Sequence, residues 1–415
     1  MSKTLLIGID AHSKSNTACF MDKEGEIIEK AYRFQNNFPC AQIFEDKIVA
    51  AMITGQFLSI KIATESTSLY HTHLIDFLAA SDKLRQFEVE IIVFNPKTTT
   101  AFKKAYPDKD KTDSVDAFVI ADRLRFGRLP EPYASNQNYL PLRRLTRYRC
   151  HLAESIAREK QYFLLHLFLK YSSYSSLKPF SNTFGNTSVS FILEDFFIDE
   201  LAEKPLEELV KYVSKHGKNG FADPTAVAEA LKQIARESYR IRPALASSVN
   251  LILTSTLANI RALEKSIKQV NNAIEEELKA FPNTLDSVPG LGPVMSAGIF
   301  AEIGNINKFP SHNALAKFAG LTWRQNSSGD FAAEITRMTK TGNQYLRYYL
   351  IEAANLLRMH NKEYSDYYSK KLLEVTKHRH KRALALTARK LVRLLFFLLK
   401  NNKLYQHSSG KVGVQ

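Results

Sequence analysis

Leu5-Leu6-Ile7-Gly8-Ile9-Asp10 opens the chain with an apolar run that ends on a carboxylate. A run of this length bounded by polar residues reads as a buried strand. Outward from it, Ala18–Asp22 reads as a second strand and Ile27–Phe34 as a third, edge strand, with Glu24-Gly25 as the tight turn before it. A helix near Phe38–Met52, the strand Ser59–Thr64 running into Glu65, and a helix over Leu69–Ala80 come next. The strand Val89–Phe94 is stopped by Asn95-Pro96, and a last helix from about Thr112 to Arg125 carries Asp113 and Asp116. A three-stranded meander followed by alternating helices and strands predicts an RNase H-like (RuvC-like) α/β domain over residues 1–130.

Four acids give that domain its chemistry. Asp10 and Glu65 fall at strand ends, and Asp113 and Asp116, three apart, share a helical face. Taken singly each has an ordinary reading, as the start of a loop or as an acid in the first turn of a helix capped near Thr112. Jointly, one sheet can bring them around a pair of hard divalent cations. Mg²⁺ is held by carboxylates together with substrate phosphates, and two metals ~4 Å apart clamp the attacking and leaving oxygens of a phosphoryl displacement. Lys and Arg number 57 against 42 acids, a net charge of +15 over 415 residues. That excess suits a polyanion, because neutralised phosphates release counterions.

Composition sets further bounds. With 45% apolar and 24% charged residues the chain is a folded globular protein, long enough for two or three domains. Cys19, Cys40 and Cys150 are odd in number and lack CxxC spacing, which argues against a zinc site or a disulfide framework. Met-Ser-Lys-Thr leads straight into the first strand, so no signal peptide is expected. The late apolar run Leu394–Leu399 falls far short of the ~20 residues a membrane span needs. A cytoplasmic protein with no membrane partner is expected.

Residues 131–280 predict a helical, coiled-coil linker. A basic helix over 139–171 has Leu142, Leu145, Leu152, Ile156 and Phe163 at helical spacing, with Arg143 and Arg147 as candidate nucleic-acid contacts. A second helix, Val249–Leu278, repeats Leu253, Ile260, Ile267 and Ile274 every seven residues, with Leu263 and Val270 between them. That is a coiled-coil seam, closed within one chain or across a dimer. Residues 172–245 look like an insertion: a Ser- and Asn-rich stretch, helices at Leu193–Glu203 and Leu206–Ser214, and a loop at Lys215–Pro224.

Residues 281–405 form a Gly-punctuated, mostly α C-terminal domain, followed by a tail, 406–415, expected to be disordered. Pro289-Gly290-Leu291-Gly292-Pro293 resembles a helix-hairpin-helix turn, in which Gly290 and Gly292 would let backbone N–H groups approach a phosphate; an ordinary inter-helix turn is the alternative. Trp323-Arg324-Gln325-Asn326-Ser327-Ser328-Gly329-Asp330 is a polar loop with accessible hydroxyls. Most such serines are only loop residues, and a serine nucleophile needs a base, a metal or strong charge stabilisation. Arg324, Arg337, Lys340 and Arg347 are placed to hold a phosphate. Lys377–Arg382, then Arg389, Lys390 and Arg393 on a helix, reads as a phosphate track or as a solvated face.

Taken in order, these motifs resemble the insertion-sequence 110 transposase family, the DEDD transposases also described as bridge-RNA-guided recombinases. The resemblance rests on Ile7-Gly8-Ile9-Asp10-Ala11-His12-Ser13-Lys14, Ala63-Thr64-Glu65-Ser66-Thr67 and Lys111-Thr112-Asp113-Ser114-Val115-Asp116-Ala117. It continues through Val288-Pro289-Gly290-Leu291-Gly292, Phe318-Ala319-Gly320-Leu321, Ser327-Ser328-Gly329, Thr339-Lys340-Thr341-Gly342-Asn343 and Leu346-Arg347. It covers about 1–170 and 246–405. It implies a RuvC-like domain, a coiled-coil linker and a C-terminal transposase (transposase-20) domain. It implies Mg²⁺ on Asp10, Glu65, Asp113 and Asp116, and a C-terminal serine that becomes covalently linked to DNA. The nucleophile is carried onto Ser328, which glycine follows directly, with Ser327 as the rival. The resemblance further implies a composite site completed in a homo-oligomer, dimer or tetramer, and a non-coding guide RNA that selects donor and target DNA. The chain departs from the family pattern at Thr322-Trp323, where an aliphatic residue and proline are usual, and at Ser66-Thr67 after Glu65.

Two other functions compete. A RuvC-type structure-selective nuclease would hydrolyse DNA with the four acids alone, leaving the C-terminal half without a task. A non-catalytic nucleic-acid-binding protein would not need the acids intact. No GxxxxGK[ST] phosphate loop is present, in keeping with chemistry that conserves phosphodiester energy in a serine link.

Overall fold

A five-stranded sheet organises the first of two units, Met1–Asn138, the second being Tyr139–Gln415. The computed structural model describes residues 3–106, 110, 112–133, 138–194, 198–218, 220–323, 327–328, 331–332 and 338–406. The strands are β1 (Thr4–Ala11), β2 (Ser15–Met21), β3 (Ile27–Gln35), β4 (Ser59–Glu65) and β5 (Glu88–Phe94), in spatial order β3-β2-β1-β4-β5. β1–β2 and β2–β3 pair antiparallel; β1–β4 and β4–β5 pair parallel. With helices α1 (Phe38–Thr54), α2 (Thr72–Ala80), α3 (Pro96–Lys103) and α4 (Asp113–Phe126), this mixed sheet is compatible with an RNase H-like domain.

The period-two alternation of β1 divides its side chains between two layers. Leu5, Ile7 and Ile9 join Phe44, Ile48, Leu74 and Leu78 in one core. Leu6 faces the other way, into a core with Ala63, Ile92, Ala117, Ile120 and Ala121. Gly8 and Asp10 share the Leu6 face, which is that of α4. A Cβ on Gly8 would lie 2.3 Å from Ala117 O and 2.3 Å from Ala121 N, so only bare backbone lets α4 lie this close to β1.

In the first unit one helix starts later than the sequence reading and one was not expected. α2 begins at Thr72 rather than Leu69, because Leu69 O is spent accepting from Thr72 N in a turn. α3 was not expected: Asn95-Pro96 does end β5, but the Asn95 side chain then caps Lys97 N with Pro96 in the first turn, which starts a helix.

The second unit is helical: α5 (Leu140–Lys170), α6 (Tyr174–Leu177), α7 (Asn186–Leu193), α8 (Ile198–Glu203), α9 (Leu206–His216), α10 (Pro224–Glu237), α11 (Pro243–Leu278), α12 (Pro293–Ile303), α13 (His312–Ala319), α14 (Gln344–His360), α15 (Lys362–Leu373) and α16 (Arg379–Asn401). Two short strands, β6 (Ser327–Ser328) and β7 (Phe331–Ala332), lie between α13 and α14. α5 and α11 run side by side and antiparallel, tied by Arg149 Nε to Asn271 Oδ1 at 2.8 Å and Lys160 Nζ to Glu264 Oε1 at 2.9 Å. Leu253 and Ile260 are buried in one core with Phe163 and Leu167, and Ile274 in another with Leu142. Much of the heptad pattern therefore serves packing within this chain.

Residues 172–245 pack into a core of the second unit. The Ser- and Asn-rich stretch already contains α6 and the start of α7. Tyr171, Tyr174, Phe191, Leu201, Leu209, Leu231 and Ile234 close a core with the adjoining ends of α5 and α11. Lys170 is buried there, donating to the carbonyls of Ile192 at 2.8 Å and Glu194 at 3.0 Å. A separate core gathers α12, α13, α14 and α16, and Tyr349 Oη donates to Thr146 O at 2.7 Å, joining α14 to α5. The tail from 407 lies outside the described residues.

Candidate functional site

All four acids line one cleft of about 720 Å³ in the first unit. β1 and β4 pair in parallel up to Ile9–Thr64, so Asp10 and Glu65 follow side by side at the next step. Ala63 points toward α4, and by alternation Glu65 does too. Thr112 Oγ1 caps α4 by accepting from Val115 N at 3.3 Å, which sets Asp113 and Asp116 in its first turn. Negative side chains are favoured at that end of a helix.

The cleft gathers more than carboxylates. His12 Nε2 lies 3.2 Å from Asp10 Oδ2 and 3.5 Å from Asp113 Oδ1, and one ligand atom from each of the three lies within 4.8 Å of the others. Lys103, from α3, pairs with Asp116 Oδ1. Thr67 donates to Glu65 Oε1 at 2.8 Å, and Thr99 donates to Glu65 Oε2. Burial pushes the Asp10 carboxyl above its ordinary value; His12 opposes this, and the charges of Asp116 and Asp113 add to it. Crowded acids of this kind call for positive charge, and the Lys103 ammonium and His12 imidazole stand beside them. The donor set, mostly carboxylate oxygen, fits a hard divalent cation.

The predicted serines lie in the second unit. β6 and β7 pair antiparallel, Ser327 with Ala332 and Ser328 with Phe331. The base of this segment is zipped shut: Trp323 bridges Met338, Thr339 N donates to Thr322 O at 2.8 Å, and Asn343 N donates to Phe318 O at 2.7 Å. A Cβ on Gly342 would fall 2.3 Å from Phe318 O, and Gly320 has φ +70°. Glycines therefore permit the two ends to meet. Arg347 Nη1 donates to Ala319 O at 3.1 Å and Lys340 O at 3.3 Å, bracing the same closure.

Both regions fall in stretches that match transposases. Residues 7–170 match the IS110 DEDD transposase family, and residues 283–369 match the transposase family of IS116, IS110 and IS902. The chain belongs to the IS110 family of transposases. It is 24% identical over 404 residues to the 44.8 kDa protein of insertion element IS116 from Streptomyces clavuligerus, covering 96% of this chain and 95% of that one. It is 29% identical over 177 residues to the transposase for insertion sequence element IS1111A from Coxiella burnetii, covering 42% of this chain and 47% of that one.

In this IS110-family transposase the expected phosphate contacts fare unevenly. Arg143 and Arg147 both have partners within the fold. Arg143 Nε donates to Ala301 O at 2.8 Å, and burial pushes its pKa down. Arg147 grips the buried Glu302 through Nε at 2.6 Å and Nη2 at 2.9 Å, and stacks 4.7 Å from the centre of the Tyr345 ring. Asn343 donates to the same carboxylate at 2.6 Å, so α5, α12 and the start of α14 are locked together. Arg324 and Arg337 lie outside the described residues. Lys340 takes a left-handed backbone, φ +51°. Gly290, φ +84°, packs against the Leu356 backbone, whereas Gly292 has open space where a Cβ would point. A single 3₁₀ turn, Leu285–Ser287, rather than a full helix, precedes them. Among the described residues no helix is long and apolar enough to cross a membrane.

Sequence reasoning passed over Thr99 and Lys103, and quoted Gly8, His12 and Thr67 without giving them a role. A glycine inside an apolar strand signals a close backbone approach, and that signal was available. Lys103 had none, because its helix was not expected.

Proposed function

We propose that this transposase cuts and rejoins DNA with Mg²⁺ held by Asp10, Glu65, Asp113 and Asp116, and with Ser328 as the nucleophile, Ser327 being the second candidate. The observation that carries the reading is the convergence of the four acids in one cleft, on elements that a bare Gly8 brings together. Bound there, the cations supply Lewis-acid stabilisation of the phosphate charge. His12 is a further donor able to join them. Thr67 and Thr99 orient Glu65, as partners behind metal ligands commonly do.

The serine oxygen bonds to phosphorus as a bond from phosphorus to a deoxyribose oxygen breaks. The serine proton passes to a base, and the released DNA hydroxyl gains a proton. The phosphodiester energy stays in the serine link, so rejoining needs no nucleotide cofactor. A non-coding bridge RNA chooses the DNA partners, and the protein works as a dimer or tetramer; family resemblance and the net charge of +15 support the RNA reading.

The test incubates the protein, its bound RNA and cognate element ends with Mg²⁺, denatures, and maps nucleotide-bearing peptides by mass spectrometry. A phosphoserine adduct at Ser328 is expected. Free 5′-phosphate ends without adduct would instead establish hydrolysis of the RuvC nuclease type by the four acids.

A further inference from the structure

One face of α16 carries cations that the fold leaves uncompensated. Arg389, Arg393 and Lys400 stay within about 40° of one another around the helix and span about 16 Å along it. Among the described residues no carboxylate pairs with any of the three. Their neighbours are neutral amides instead: Asn313 accepts from Arg389 Nη2, and Asn307 accepts from Lys400 Nζ at 2.9 Å. Amides orient a cation without cancelling its charge. The adjacent Lys390 shows the ordinary alternative, with Glu363 at 2.7 Å and the Tyr364 and Tyr367 rings each 4.8 Å away. Arg382, further up the helix, is likewise compensated by Glu374 at 3.2 Å.

Two buried nitrogens beside this face have no hydrogen-bond partner, Arg389 Nη1 and His312 Nδ1. A buried guanidinium N–H without an acceptor is costly and rare. The charges also oppose one another: burial, then Arg389 and Arg393, pushes the His312 pKa down, and burial, then Arg393, does so for Arg389. An anion over this face relieves the mutual repulsion of Arg389 and Arg393. A row of cations, rather than a single pocket, matches an anion that repeats along its length.

We propose that Arg389, Arg393 and Lys400, with Asn307 and Asn313 as their supports, form a track for the phosphate backbone of a nucleic acid. The inference rests on the reading of the chain as a DNA-handling transposase, but it needs neither the metal nor the serine. Backbone phosphate is common to the DNA substrate and to a bound RNA, so the test has an arm for each.

Binding of the RNA-free protein to a fluorescein-labelled DNA duplex, and to an RNA duplex of the same sequence, is followed by anisotropy in EDTA across a salt series. Each phosphate contact contributes about 0.9 to the slope of log affinity against log salt on duplex DNA. The double variant Arg389→Gln/Arg393→Gln is expected to lower that slope by about 2, while Lys390→Gln leaves it unchanged. A loss in one arm names the nucleic acid that uses the track, and a loss in both means that either does. Unchanged slopes in both arms, or an equal loss in Lys390→Gln, would overturn the proposal. Independent of any variant, Lys400 in the unaltered protein should be protected from acetylation when the duplex is added. Full acetylation at saturating duplex would also overturn it. Because EDTA removes the metal, failure here leaves the acid and serine assignments to be judged separately by the adduct experiment.

Discussion

The acidic cleft and the serine segment solve opposite problems. In the cleft, Asp10, Glu65, Asp113 and Asp116 sit on strand ends and a helix first turn, and like charges are brought together because backbone packing of α4 on β1 forces them there. In the serine segment, Ser327 and Ser328 occupy a two-residue strand, and order comes from a closure at its base, Gly320 against Gly342 with Arg347 as brace. Metal ligands tolerate little displacement and are best carried by regular elements. A nucleophile must approach a phosphate that arrives with the substrate, and loops on a fixed base commonly carry such groups.

The largest effects should come from the acting groups themselves. Asp10→Asn or Asp116→Asn is expected to abolish strand cleavage and exchange while RNA binding persists; parallel loss of RNA affinity would refute the metal role. Ser328→Ala should eliminate the covalent adduct, and a fully active variant would transfer the role to Ser327 or end the serine reading. Gly8→Ala comes next. Its Cβ would strike the α4 backbone, costing about 1–3 kcal/mol by overpacking, and cleavage should fall further than a melting curve alone accounts for. Equal activity at equal foldedness would show that the α4–β1 spacing does not set the cleft.

Arg347→Ala tests the other side of the comparison. Loss of its carbonyl contacts should destabilise the second unit by about 1–2 kcal/mol and lower adduct yield, with calorimetric binding of divalent cation unchanged. If cation binding falls too, the two regions are not built independently. The smallest effect is expected from Lys103→Met, which removes a competing cation from Asp116. Titration calorimetry should show cation binding tightened a few-fold; weakened binding would make Lys103 an organiser of the site.

The sheet strands were legible because each apolar run is short and bounded by breakers, and the acids because each follows such a run or a cap. The 172–245 region was harder. Its Ser- and Asn-rich start suggested loop, yet Tyr171, Tyr174 and Phe191 supply the apolar surface for a core whose other half lies on α5 and α11. Local composition carries no record of a partner that is distant in sequence. The internal partners of Arg143 and Arg147 were hidden for the same reason, since Ala301 O and Glu302 lie far along the chain.

By itself the sequence determined the alternation of strand and helix in the first unit, the position of its four acids, the basic balance and the family, because periodicity, punctuation and ordered motifs are local properties. Only the tertiary structure decided that Gly8 seats α4, that Lys103 and His12 stand among the acids, and which arginines remain uncompensated. Those outcomes depend on which surfaces meet, and burial and charge pairing exist only once distant segments are in contact.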